Sequence, residues 1–126
     1  MEKRIIRTND APAPIGPYNQ AVRTNGFLFV SGQIALVPGT GELNNATIEE
    51  ETHQVMKNLG AVLQTAGHDF SNIVKTTIFL SDMSLFAQVN DVYGSYFSDN
   101  YPARETVAVK GLPKNVNVEI SVISAS

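Results

Sequence analysis

Two ionisable side chains towards the end of this sequence are of types that bind and transform small carboxylic acids. Arg104 stands in Tyr101-Pro102-Ala103-Arg104, and Glu119 stands in the alternating segment Val118-Glu119-Ile120. The planar guanidinium group presents donors in a fixed fork that matches both oxygens of a carboxylate. A glutamate within an apolar strand is costly if it is buried unpaired, which points to a functional role. Taken alone, Arg104 fits a surface ion pair at least as well.

Both residues are predicted to lie on β-strands. Pro102 cannot continue a helix and favours extended geometry before it, so a strand is expected to begin near Arg104. Alternation then places Arg104 and Thr106 on one face and Glu105 on the other. The last strand is predicted over Val116–Ile123, with Glu119 opposite its valine and isoleucine side chains. We expect Arg104, Thr106 and Glu119 to share the sheet face that the helices leave uncovered.

The remaining pattern predicts an α+β domain with two helices on one face of a single sheet. Asn25-Gly26 is typical of a hairpin turn. Thr47 is a candidate cap for the first helix, and Gly67 a candidate stop. Asp82 or Ser84 is a candidate cap for the second helix, which is expected to end before Pro102. The other predicted strands are Ile5–Thr8, Ala21–Thr24, Phe27–Ser31 and Ile73–Leu80.

Composition narrows the class of protein. The 126 residues suffice for one domain, and the 43% hydrophobic content is ordinary for a globular protein. No run approaches the roughly 20 apolar residues that span a bilayer, and no secretory signal is evident, so we expect a cytoplasmic protein without a membrane partner. Nine Lys and Arg residues are scattered along a chain of net charge −3, which argues against a nucleic-acid partner.

Several other side chains have two interpretations. Tyr18 follows a proline-rich loop and fits either the packing of that loop or a binding site. Ser31 fits a residue at the end of a strand as well as a binding residue. Asn90 likewise fits a solvated position on the second helix as well as a binding residue. For His53 we predict a helix-surface pair with Glu49 or Glu50 rather than a metal ligand. We expect His68, which follows the glycine stop, to be exposed.

A family resemblance rests on motifs distributed over nearly the whole chain. They are Ile15-Gly16-Pro17-Tyr18, Ser31-Gly32-Gln33, Val74-Lys75-Thr76-Thr77, Val89-Asn90-Asp91-Val92-Tyr93, Tyr101-Pro102-Ala103-Arg104, Leu112-Pro113-Lys114 and Val118-Glu119-Ile120. In this combination and order they resemble the RidA family, also called the YjgF family. The resemblance implies a single domain over residues 1–126 with a chorismate-mutase-like fold, assembled as a homotrimer around a central barrel with ligand clefts between subunits.

The resemblance also implies an activity. Members hydrolyse reactive enamines and imines, such as 2-aminoacrylate and 2-aminocrotonate, to 2-oxo acids and ammonia, without a metal or organic cofactor. Arg104 would bind the substrate carboxylate, and Glu119 would orient or activate water. The implied substrate-binding residues are Tyr18, Ser31, Gly32, Asn90 and Thr106.

The chain departs from many bacterial relatives at three positions. Thr106 stands where they carry cysteine, Glu105 where they tend to carry a small residue, and Ser121 where a second glutamate is frequent. If the backbone twists, Glu105 would partly neutralise Arg104. Two other functions remain open: a non-catalytic binder or regulator that recognises small 2-oxo or amino carboxylates in the same cleft, and a ribonuclease or translation inhibitor, against which the acidic balance argues.

Overall fold

Six strands and two α-helices make up the computed structural model, which describes residues 1–126. In chain order the elements are β1 (Arg4–Ile6), β2 (Ala21–Thr24), β3 (Phe27–Gln33), α1 (Ile48–Thr65), β4 (Ile73–Leu80), α2 (Phe86–Gly94), β5 (Ala103–Ala108) and β6 (Val118–Ala125). The strands form one sheet in the order β1-β2-β3-β6-β4-β5. Only β4 and β5 pair in parallel. The predicted α+β class and element order are confirmed.

Local signals in the sequence account for the turns and for the first helix. Asn25 and Gly26 have φ angles of 51° and 80°, as the hairpin turn between β2 and β3 requires. Thr47 Oγ1 accepts a hydrogen bond from the Glu50 backbone N–H at 3.1 Å and caps α1. Gly67, with φ 77°, follows the helix end as predicted. Gly60 lies against Phe70, since a Cβ atom there would come within 3.2 Å of its ring.

Several predicted elements have different bounds in the structure. The first strand begins at Arg4 and ends at Ile6, earlier than predicted, whereas the last strand runs from Val118 to Ala125, later than predicted. A 3-10 turn at Pro113–Asn115 delays the last strand, because Lys114 and Asn115 both have positive φ angles. Asp82 caps a separate 3-10 turn, Met83–Leu85, which leads directly into α2.

The core lies between the sheet and the two helices. Val118, Ile120 and Val122 of β6 are at most 3% exposed and face α1. Tyr93 of α2 donates to the buried Thr76 Oγ1 of β4 at 2.9 Å, which places α2 on the same face. The sheet therefore has one covered face, called here the helix face, and one face without any covering element, called here the open face.

Both histidine predictions are wrong. His68 is 4% exposed, and its Nδ1 lies 2.7 Å from Ser124 Oγ of β6, because the chain turns back over the sheet after Gly67. Burial lowers the pKa of the His68 imidazole, and the nearby Arg23 guanidinium lowers it further. His53 of α1 pairs with Tyr96, which follows the end of α2, with 2.8 Å between Nδ1 and Oη, rather than with Glu49 or Glu50.

Neither helix is both long and apolar enough to cross a membrane.

Candidate active site

Arg104 lies on the helix face, at the edge of the sheet. It pairs in register with the buried Thr76, so its side chain projects to the same side as the helices. Its Nη1 donates to Asn90 Oδ1 of α2 at 2.7 Å. The guanidinium carbon stands 5.3 Å from the ring centre of Tyr93 and 5.6 Å from that of Phe86, within the range of cation–π attraction. The prediction that Arg104 projects from the uncovered face is therefore wrong.

The cleft in front of Arg104, called here the arginine cleft, is open and contains no acid. Its lining residues are Asn90, Tyr93, Gly94, Tyr101, Pro102 and Arg104. The only ion pair in the structure joins Lys75 Nζ to Glu105 Oε2 at 3.2 Å, so the alternative of a surface pair for Arg104 is not seen. An arginine oriented by an amide oxygen and two rings, without a carboxylate partner, is suited to binding an external carboxylate.

Glu105 does not weaken this cleft. It faces the open side, where Thr77 Oγ1 donates to its carboxylate at 2.9 Å and Lys75 pairs with it. The hydrogen bond from Thr77, together with Lys75, holds the pKa of the Glu105 carboxyl below its ordinary value. The alternation that separates Glu105 from Arg104 in the sequence is confirmed.

Glu119 lies on the open face in a second cleft, called here the glutamate cleft. This cleft has a volume of about 400 Å³ and is lined by Pro12, Ala13, Ile15, Tyr18, Gln20, Ser31, Gly32, Gln33, Ile34, Leu36, Pro113 and Glu119. The half-buried carboxyl of Glu119 has no hydrogen-bond partner within the chain, and burial raises its pKa. A carboxyl with a raised pKa and access to a cleft is suited to accepting and returning a proton.

Gly32 lies directly beside the Glu119 carboxyl. A Cβ atom at position 32 would stand 2.5 Å from Glu119 Oε2 and 2.9 Å from its Cδ. Only glycine leaves room for the carboxyl in this position. Gly32 therefore shapes the glutamate cleft through its lack of a side chain.

Tyr18 and Ser31 border the same cleft, but both also serve the local fold. Tyr18 Oη accepts from the Ile15 backbone N–H at 3.3 Å, and the ring remains 48% exposed. Ser31 Oγ donates to the Asn19 carbonyl at 2.6 Å, which engages its proton. The structure thus brings Tyr18, Ser31 and Gly32 together with Glu119.

Thr106 lies on the helix face two residues beyond Arg104, opposite the buried Ile78. Its Oγ1 is buried and has no hydrogen-bond partner within the chain. It lines neither cleft. The arginine cleft therefore contains two of the sequence-derived candidates, Arg104 and Asn90, and the two clefts share no lining residue.

A match to a known family covers almost the whole chain. The family model described as Endoribonuclease L-PSP matches residues 8–126. The chain belongs to this family. The predicted resemblance to RidA proteins is confirmed with it, since relatives and structural neighbours of this L-PSP chain carry Rid and deaminase names.

Relatives of this L-PSP chain match it over nearly their full length. A RutC family protein of Synechocystis is 53% identical over 126 residues, covering 98% of this chain and 97% of the relative. A mouse protein named 2-iminobutanoate/2-iminopropanoate deaminase is 45% identical over 122 residues, covering 97% of this chain and 90% of the relative. A Yersinia pestis structure described as a Rid family protein of unknown function superimposes with a TM-score of 0.96 at 49% identity, covering 99% of this chain and 100% of that one.

Sequence reasoning missed buried polar residues that shape the glutamate cleft. Gln20, 2% exposed, accepts from the Thr8 N–H at 2.7 Å and donates to the carbonyls of Thr8 and Pro12 at 2.9 Å, which fixes the proline-rich loop. Asn58 of α1 donates to the carbonyls of Ile34 and Leu36 at 3.0 and 2.9 Å. The sequence signal for Asn58 was a polar residue beside the apolar stripe of a helix. No comparable signal marks Gln20.

No three histidine, aspartate or glutamate side chains converge as a group that could hold a metal ion.

Proposed function

We propose that this protein hydrolyses reactive enamines and imines of small amino acids to 2-oxo acids and ammonia. The substrates are 2-aminoacrylate with its tautomer 2-iminopropanoate, and 2-aminocrotonate with its tautomer 2-iminobutanoate. The observation that carries the proposal is the Glu119 carboxyl, which has a raised pKa and no partner within the chain. The deaminase name of the mouse relative supports the same reaction class.

The chemistry requires few groups. Arg104 binds the substrate carboxylate through its fork of donors and places the imine carbon in the cleft. Glu119 accepts a proton from water as the water oxygen bonds to that carbon, and returns it to the imine nitrogen, which gives a carbinolamine. Glu119 then transfers the hydroxyl proton of the carbinolamine to its amino group, the carbon–oxygen double bond forms as the carbon–nitrogen bond breaks, and ammonia and the 2-oxo acid are released. Every step balances without a metal or organic cofactor, and none is proposed.

The two clefts act on one substrate only if they come from different subunits. Arg104 and Glu119 project from opposite faces and stand two strands apart, about 10 Å at the usual strand spacing, which exceeds the reach of a three- or four-carbon acid. We therefore propose a homotrimer in which the arginine cleft of one subunit meets the glutamate cleft of its neighbour. In this homotrimer the sheets of the three subunits would surround a central barrel, which would cover their open faces.

The open face offers an apolar surface for that assembly. Ile5, Val22, Phe29 and Ile123 pair in register across four adjacent strands on this face. Ile5 is 42% exposed, and Phe27 and Phe29 are each 44% exposed. Such a row of exposed apolar side chains is typical of an interface between protein chains.

The experiment is a coupled assay in which a dehydratase supplies the enamine and 2-oxo acid release is followed. Acceleration by the purified protein, lost in Glu119→Gln, is the expected result. An unchanged rate of 2-oxo acid release would overturn the proposal. We place the reaction in the cytoplasm, where pyridoxal-phosphate enzymes release such intermediates; detection of the protein only in another compartment would refute that placement.

A binding role is the second candidate, because the arginine cleft is complete within one chain and contains no group that handles protons. A regulator would bind 2-oxobutanoate saturably without turnover. Calorimetry combined with the coupled assay on Glu119→Gln separates the two roles: both predict that the variant retains affinity for 2-oxobutanoate, but only the deaminase shows a wild-type rate of 2-oxo acid release that the variant loses.

The name of the family model raises ribonuclease activity, which we do not propose, since the nine basic residues are scattered. Salt-dependent RNA cleavage by the pure protein that is abolished in Arg104→Ala would reverse that judgement.

A further inference from the structure

The carboxylate of Glu51 is buried inside the protein and is bound entirely by donors from the start of β6. Glu51 is 0% exposed. Its Oε2 accepts from the backbone N–H groups of Asn117 and Val118 at 2.8 and 3.2 Å, and its Oε1 accepts from Asn117 Nδ2 at 3.0 Å. No cation pairs with it. All three bonds end on the two residues that directly precede Glu119.

The location of these bonds follows from a gap in the sheet. Pairing between β3 and β6 shifts register between Val30 and Gln33 and reaches no further than Ile120 on β6. The backbone N–H groups of Asn117 and Val118 therefore need another acceptor, because buried donors without partners are costly. Glu51 supplies it from the first turn of α1, where the helix dipole favours a negative charge.

We propose that Glu51 is a positioning residue that sets the place of the Glu119 carboxyl. Val118 is fixed on the helix face by Glu51, and Glu119 projects from the next backbone unit to the open face. There Gly32 leaves the carboxyl little room, with a hypothetical Cβ at 2.5 Å from Oε2. A small movement of the β6 start therefore displaces the proton-handling group. This inference rests on the proposed deaminase function only for its kinetic consequences.

The kinetic experiment compares Glu51→Gln with the control Thr52→Val. The glutamine side chain keeps the size of the glutamate, but its NH2 group cannot accept the hydrogen bonds that a carboxylate oxygen accepts from Asn117 and Val118. Thr52 is the adjacent fully buried residue, and its Oγ1 bonds only within the helix, to the Ile48 carbonyl at 2.8 Å. For Glu51→Gln we expect kcat to fall about 10- to 100-fold with little change in KM, as expected for misplacement of a reacting group by about 1 Å. Thr52→Val should keep the wild-type kcat.

A double-mutant cycle then separates positioning from general destabilisation. If Glu51 acts through Glu119, adding Glu51→Gln to Glu119→Gln should cause no further loss of rate, although it still lowers the unfolding midpoint. Losses of rate that multiply in the double variant would overturn the proposal. If Glu51→Gln fails to fold, Asn117→Ala removes one of the three bonds and should lower kcat less, in the same non-additive way.

A measurement without turnover tests the proposal even if the protein is not a deaminase. The carboxyl carbon of Glu119 is titrated by 13C NMR in the wild type, Glu51→Gln and Thr52→Val. A displaced midpoint in Glu51→Gln alone supports positioning. Equal midpoints in all three proteins would overturn it. Absence of deaminase activity together with a displaced midpoint would refute the proposed function and leave the role of Glu51 standing.

Discussion

Arg104 and Glu119 belong to strands of one sheet but project from its opposite faces. Arg104 reaches Asn90 on the helix face, whereas Glu119 lies beside Gly32 on the open face. No cleft of a single subunit holds both residues. The proposed reaction therefore makes assembly a condition of activity.

Glu119→Gln should lower activity and raise stability at neutral pH. Loss of the proton-handling group should reduce kcat about 10²- to 10⁴-fold. Because burial raises the folded-state pKa of Glu119, its favourable contribution is complete below the unfolded value near 4.5 and is lost as pH rises through the folded value. Urea unfolding should show the variant to be more stable than the wild type at pH 7 and equal to it in acid. A less stable variant at pH 7 would refute this electrostatic interpretation.

Gly32→Ala should reduce kcat at least tenfold while leaving the fold intact. The new Cβ would stand 2.5 Å from Glu119 Oε2 and displace the carboxyl, and a displacement near 1 Å can cost about 100-fold in rate. Gly111→Ala is the matched control, because a Cβ there meets nothing within 4 Å. Equal kcat values for the two variants would show that the close approach has no functional role.

The sequence predicted much of the local structure, because the determinants are local. Thr47 caps a helix through its own hydroxyl, and Asn25-Gly26 adopts its turn through backbone preferences. The alternation of side chains along β5 predicted which of its residues share a face, but not which face the helices cover. That choice depends on the pairing of Arg104 with Thr76, a contact between strands separated by a whole helix. The insertion of β6 between β3 and β4 is likewise non-local.

Some features of the candidate site could likewise be predicted from the sequence, and others depend on the tertiary structure. Arg104 and Glu119 were recognisable from their types and surrounding motifs. The division into two clefts, and the buried carboxylate of Glu51, depend on tertiary contacts. His68 was mispredicted for the same reason, since its burial follows from contact with Ser124 on the distant last strand.

His68 should make the protein less stable as the solution becomes mildly acidic. Its folded-state pKa lies below the ordinary value of 6.5, so the unfolded chain binds more protons between the two values. The free energy of unfolding should fall as pH drops below about 6.5. Denaturant unfolding between pH 7 and 5 should show that the free energy of unfolding depends less steeply on pH in His68→Gln than in the wild type. If the free energy of unfolding depends on pH equally in His68→Gln and the wild type, His68 is not the cause of the loss of stability in mild acid.

Phe29→Glu should dissociate the assembly and abolish activity while each subunit stays folded. Phe29 lies in the middle of the apolar row on the open face, and a buried unpaired charge there is costly. Light scattering should report a trimer for the wild type and a monomer for the variant. Met83→Glu is the control, since Met83 is 46% exposed but lies in the turn before α2. A trimeric Phe29→Glu protein would exclude the open face as the interface.

The most direct test of a site shared between subunits is the activity of mixed assemblies. Arg104→Ala and Glu119→Gln are inactive separately in the proposed mechanism. When the two variants are co-expressed, random assembly into a ring leaves about a quarter of the sites with both Arg104 and Glu119 intact. The expected result is recovery of about a quarter of the wild-type 2-oxo acid release. Mixed assemblies that remain as inactive as either variant alone would show that the two residues do not act together across a subunit boundary.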